Sequence, residues 1–67
     1  MYVKHVLGER NKLMYRAEIH KDNEGTYSIR YFSEAQEIKR ETFEGKSIHF
    51  VEDAADNWIS GIKTLNG

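Results

Sequence analysis

A chain of 67 residues has room for one domain and one thin core, burying only about 60% of the surface its unfolded form exposes. Hydrophobic residues make up 39% and charged residues 31%, with a formal net charge of -1, a globular balance rather than the strongly basic profile of a dedicated nucleic-acid binder. Cysteine is absent, which excludes a disulfide framework and a thiolate zinc site, and no apolar run approaches the ~20 residues of a membrane span; a single cytoplasmic domain over residues 1–67, without leader or anchor, is the expectation.

Tyr2 to Leu7 has the β-branched and aromatic character of a strand, and Gly8-Glu9-Arg10-Asn11 reads as the turn after it. Tyr2 and Val6 fall on one face of that strand and Val3 and Leu7 on the other, so it needs cover on both sides or a partner. Leu13 to Lys21 alternates more cleanly, with Leu13, Tyr15, Ala17 and Ile19 on one face and Arg16, Glu18 and His20 on the other. Asp22-Asn23-Glu24-Gly25 then closes a hairpin, with Gly25 at the left-handed position. Pairing Asp22 with Thr26 sets Ile19 opposite Ile29, Ala17 opposite Tyr31 and Glu18 opposite Arg30. Opposed residues share a face, and a slip of one residue destroys all three matches, so this register is strongly specified.

Ser33-Glu34-Ala35-Gln36 reads as a loop and Glu37 to Glu44 as the next strand. Ile38 and Phe43 have opposite parity and cannot both face one side of a regular strand. Either a bulge shifts the phase, or Phe43 packs inward beside Tyr27 while Ile38 points out beside Phe32. The second arrangement leaves Phe32, Ile38 and Met14 as an apolar patch on the outer face.

From Ser47 to Leu65 the spacing changes. Ile48, Val51, Ala55, Trp58, Ile62 and Leu65 form one apolar stripe of helical period. Ser47 is suited to cap the helix, Glu52, Asp53 and Asp56 load its first half with negative charge, Lys63 lies near its end, and Asn66-Gly67 supplies a stop. The expected fold is α+β: a three- to four-stranded antiparallel meander followed by one C-terminal helix on one face, β-β-β-β-α.

Signals of chemistry are sparse. His5, His20 and His49 show no metal-ligand spacing, and surface histidine is the better reading. Ser28, Ser33, Ser47 and Ser60 lack an elbow motif, and Gly45-Lys46-Ser47 lacks the earlier glycine of a phosphate-binding loop, Arg40 standing in its place. No catalytic residue, cofactor or metal is expected. Charge is uneven: residues 1–21 carry a formal +3 and residues 44–67 a formal -2, which reads as a solvated surface whose two ends attract weakly, or as a bipolar surface that favours self-association or a charged partner. The outer sheet face holds the partner-binding candidates Met14, Arg16, Arg30, Phe32, Ile38 and Arg40. The first reading is a small non-catalytic protein that binds and modulates a partner protein or pairs with itself as a homodimer. The alternative is a nucleic-acid-binding module using the same face, against which Glu18 and the mixed charge weigh.

The run Tyr15-Arg16-Ala17-Glu18-Ile19-His20-Lys21-Asp22-Asn23-Glu24-Gly25-Thr26-Tyr27-Ser28-Ile29, then Gly45-Lys46-Ser47-Ile48 and Ala55, resembles the N-terminal domain of the HicB antitoxin family in its strand, acidic-Gly turn, strand and capped helix. The likeness spans Tyr15 to Ile62, with Ser33-Glu34-Ala35-Gln36 replacing the family's Pro- and Gly-containing segment. It implies a non-catalytic protein that binds and blocks a partner, often as an oligomer, and without the family's DNA-binding region it does not imply operator binding. A compact domain of this kind also suits a viral or mobile-element accessory protein.

Overall fold

The computed structural model describes residues 1–61, in which four strands and one helix follow in chain order: β1 (Tyr2–Arg10), β2 (Leu13–Lys21), β3 (Tyr27–Ser33), β4 (Gln36–Phe43) and α1 (Ile48–Ser60). The strands form one antiparallel sheet in the order β1-β2-β3-β4, so the β-β-β-β-α meander is the fold. No helix among the described residues is long and apolar enough to cross a membrane.

The β2–β3 hairpin has the expected register. Ile19 opposes Ile29, Ala17 opposes Tyr31 and Glu18 opposes Arg30. The Asp22 N–H donates to the Thr26 carbonyl at 3.0 Å and the Gly25 N–H to the Asp22 carbonyl at 3.1 Å. Asp22 Oδ1 also accepts from the N–H groups of Glu24 and Thr26, both at 2.9 Å, so one carboxylate satisfies two turn donors. Gly25 takes φ 87°, where a side chain is strained.

The first turn lies three residues later than its composition suggests. β1 runs on through Gly8, Glu9 and Arg10, and the chain reverses at Asn11-Lys12, both left-handed at φ 52° and 67°. Two consecutive left-handed residues make the tight hairpin turn that matches strand twist. Glu34-Ala35 turns β3 into β4 the same way, at φ 53° and 71°. Gly8 is therefore a packing glycine: a Cβ there collides with the Ile59 side chain, so its absence lets α1 settle on β1.

β4 resolves the conflict between Ile38 and Phe43 with the bulge, and Glu37 rather than Ile38 comes to lie opposite Phe32. Phe43 is buried opposite Tyr27, and the register shifts between Tyr31 and Phe32, leaving Ile38 as an extra residue between Glu37 and Lys39.

Ser47 caps α1, its hydroxyl accepting from the Phe50 N–H at 3.3 Å. α1 ends at Ser60, where Gly61, left-handed at φ 85°, caps it by turning its N–H back on the Asn57 and Trp58 carbonyls. The expectations for Ile62, Lys63, Leu65, Asn66 and Gly67 lie outside the described residues. Val51, Ala55 and Trp58 bury the helix stripe against Ala17, Ile19, Ile29, Tyr31 and Phe43. The Trp58 ring stands 5.4 Å from Tyr15, edge-on, and 4.7 Å from Tyr31. Arg10 covers this cluster, its guanidinium carbon 4.5 Å from the Tyr15 ring centre. The indole N–H is buried with no acceptor among the described residues, so packing alone holds the ring.

Trp58→Ala should cost ~3–5 kcal/mol against a total stability of about 5 kcal/mol and leave the domain largely unfolded. Trp58→Phe, which keeps a ring and removes a lone donor, should cost less in urea titrations. Gly8→Ala should lower stability by ~1–3 kcal/mol, with Gly8→Ala/Ile59→Ala recovering part of the clash term; equal urea midpoints for Gly8→Ala and the parent would refute the close approach.

Candidate functional site

The face of the sheet away from α1 is built by the residues that alternate outward: His5, Leu7 and Glu9 on β1, Met14, Arg16, Glu18 and His20 on β2, Ser28, Arg30 and Phe32 on β3, and Arg40 and Thr42 on β4. Strand pairing sets His5, Glu18, Arg30 and Arg40 in one row and Leu7, Arg16, Phe32 and Glu37 in the next.

The bulge at Ile38 decides what this face contains. In a regular strand Glu37 shares a face with Lys39, Glu41 and Phe43, on the helix side. The extra residue turns Glu37 to the opposite side, where it meets the arginines. Arg30 donates from Nε and Nη2 to Glu37 Oε1 at 2.9 and 2.7 Å, and Arg40 donates from Nε to Oε2 at 3.2 Å. These bonds from Arg40 and Arg30 hold the Glu37 carboxyl below the ordinary carboxylate range. Across the sheet Glu18 lies 3.0 Å from both Arg16 Nε and His20 Nε2. The Arg16 Nε–H points off the hydrogen-bond line, so that contact is an ion pair only.

Phe32 sits between these two groups and is only 8% exposed, although no helix or loop covers this face among the described residues. Arginine covers it instead: the guanidinium carbon of Arg16 lies 4.3 Å from the ring centre and that of Arg30 5.6 Å. Leu7 at 56%, Met14 at 50% and Ile38 at 42% exposure are the apolar residues that remain open around it. Met14 is also fixed by the β3–β4 turn, its N–H donating to Glu34 Oε2 at 2.6 Å and its carbonyl accepting from the Glu34 N–H at 2.8 Å.

The structure thus gathers Arg16, Arg30, Phe32 and Arg40 into one cluster, with Met14 on its β2 side and Ile38 at its β4 side. Phe32 is less open than its position in the sequence suggests, because the two flanking arginines close over it. Leu7 belongs to the same face, which the residues alone do not show: with Gly8 in a turn Leu7 falls at a strand end, and only the longer β1 sets it opposite Arg16.

Other features yield no site chemistry. Among the described residues no group of three or more His, Asp or Glu side chains is placed to hold a metal ion. His5 bonds to Tyr2, His20 pairs with Glu18, and His49 stands 3.6 Å from Glu52. Lys4 donates to Glu52 at 2.8 Å, which raises the lysine and lowers the glutamate from their ordinary values. Comparison with protein-family models, with curated proteins and with solved structures finds none that matches the chain.

A carboxyl held below its ordinary value adds stability that is present above the unfolded value, about 4.3, and is lost as pH falls through the folded one. Glu37→Gln should therefore flatten the acid limb of the stability profile: between pH 7 and pH 3 the parent's urea midpoint falls further than the variant's. Parallel profiles would show that the Arg30–Glu37–Arg40 group does not contribute.

Proposed function

We propose that this domain is a non-catalytic interaction protein that engages a partner protein through its uncovered sheet face. The observation that carries this is the composition of that face: an arginine-covered phenylalanine at the centre, ringed by half-exposed Leu7, Met14 and Ile38. Interface centres favour aromatic and arginine anchors with apolar neighbours, and an open single-layer sheet presents them without rearrangement. The binding-and-blocking role implied by the resemblance to HicB antitoxins is of the same kind, as an analogy of fold.

The alternative, nucleic-acid binding by the same face, is favoured by Arg16, Arg30 and Arg40 beside an aromatic ring. Against it, these cations are matched on the face by Glu9, Glu18 and Glu37, and Glu18 and Glu37 already occupy them at 2.7–3.2 Å. Releasing counterions from phosphates requires cations free to neutralise them, and here they are engaged.

Capture from a native extract, compared between the parent and surface variants, distinguishes the readings. Leu7→Glu/Met14→Glu should reduce retention of the partner at least tenfold, the loss of about 1.4 kcal/mol or more expected at an interface centre, while Asp56→Lys on the outer side of α1 leaves it unchanged. Equal loss in both variants counts against the face. Salt-sensitive binding of a labelled single-stranded oligonucleotide, weakened by Arg16→Ala, would establish the alternative instead.

A further inference from the structure

The edge of the sheet at β4 carries an inference beyond this reading, because it concerns the strand's rim and not its outer face. Three observations meet there. β4 is the last strand of the sheet, so its outward N–H and C=O groups have no strand partner among the described residues. α1 packs mainly on β1, β2 and β3, which leaves a cleft of about 330 Å³ over β4, walled by Glu41, Phe43, Phe50, Asp53, Ala54 and Asn57. Lys39 and Glu41 stand on the helix side of this strand, opposite Tyr31 and Ile29, with opposite charges two residues apart. Lys39 has no ion-pair partner among the described residues, and Glu41 has accepted only the Tyr31 hydroxyl, at 2.9 Å. Burial, together with that bond, raises the Tyr31 phenol well above the ordinary tyrosine value, so it remains a donor.

We infer that β4 pairs antiparallel with β4 of a second copy of this chain, about a two-fold axis through Arg40. Directly opposed residues in such a pair share a face, so the axis must pass through a residue and only a few centres exist. Centred on Arg40, Lys39 of each copy opposes Glu41 of the other, giving two complementary pairs. Centred on Lys39 or on Glu41, that residue opposes its own copy and no Lys meets a Glu on the helix side. Charge complementarity therefore selects one register. In it, Lys39 of the second copy brings its ammonium to Glu41 at the mouth of the cleft, with its stem along Phe43 and Asp53 deeper in. Arg40 opposes its own copy, but it is exposed and each Arg40 is already bound by Glu37 of its own chain.

The other edge has no such solution. The helix-side charges of β1 are Lys4 and Arg10, both positive, so no centre yields an opposite-charge pair on that side. Pairing of β1 with β4 of another copy leaves both outer edges free and builds an open filament; the two-fold β4 pair closes after two chains. The product is one eight-stranded sheet with both outer faces on the same side.

A strand-to-strand junction is a small interface, below ~1,200 Å² in total, so the dimer is reversible and its mass rises with concentration. In sedimentation equilibrium the chain should fit a monomer–dimer model. Lys39→Glu and Glu41→Lys alone should each weaken dimerisation at least tenfold, since each places like charges opposite one another twice. Mixed together they should form a heterodimer, because every Glu then meets a Lys. Should Glu41→Lys lose its fold with the Tyr31 bond, a second probe remains: the chain has no cysteine, so Arg40→Cys should oxidise to a covalent dimer while His5→Cys on the opposite edge does not. A strict monomer, a filament, a dimer unaffected by Lys39→Glu, or equal cross-linking at the two cysteine positions would each overturn the inference. None of these outcomes depends on the outer face, whose variants at Leu7 and Met14 should dimerise normally.

Discussion

The contact of Trp58 with Tyr15 and Tyr31 is what the remainder of the molecule depends on. A sheet of four strands cannot bury its own face, and among the described residues one 13-residue helix supplies the cover. Val51 and Ala55 let the helix axis come close to the sheet, and the indole then fills the space over β2 and β3. That close approach demands room on β1, which Gly8 provides by having no side chain beneath Ile59. It also has a consequence at the far end. A helix centred over β1 to β3 reaches β4 chiefly through Phe50, whose ring lies 6.1 Å from Phe43, so the last strand is left with a cleft above it and an open rim beside it.

The two faces of the sheet are stabilised by different physics. On the helix side the removal of aliphatic and aromatic surface from water dominates, at about 25 cal/mol per Å². On the outer side the described residues include no second layer, and the one large aromatic there, Phe32, is shielded by guanidinium groups whose charges are returned to Glu18 and Glu37. Cation–π contacts at such partly solvated sites contribute about 0.5–1 kcal/mol each, enough to orient the arginines without making them hard to displace. The same arrangement neutralises the face. A molecule that recognises it gains from shape and apolar contact at Leu7, Met14 and Ile38 more than from long-range attraction, which separates a protein partner from a polyanion.

A β4–β4 pair fits this division of labour. The rim would be used for association of like with like, where charge complementarity on the helix side selects the register, and the outer face would stay open for a different molecule. Two copies in one continuous sheet present that face twice on the same side, so a partner with repeated sites gains avidity without any new contact.

Much of this was legible in the residues themselves. The β2–β3 hairpin follows from alternation plus a glycine at a left-handed position, because both are local rules that a single register satisfies at once. Ser47 as a cap and the Val51–Ala55–Trp58 stripe are likewise consequences of helical period. What only the tertiary structure decided are the positions where local signals were ambiguous or misleading. Gly8 carries the same letter in a turn and under a helix; its role depends on Ile59, fifty-one residues away, and with it the length of β1 and the place of Leu7 on the outer face. The Ile38 bulge could be suspected from a parity conflict, but its effect, moving Glu37 across the sheet to Arg30 and Arg40, arises from pairing with β3. Alternation and capping are written in neighbouring residues, whereas which face a bulged residue joins, and which glycine a helix rests on, are settled only when distant segments compete for the same space.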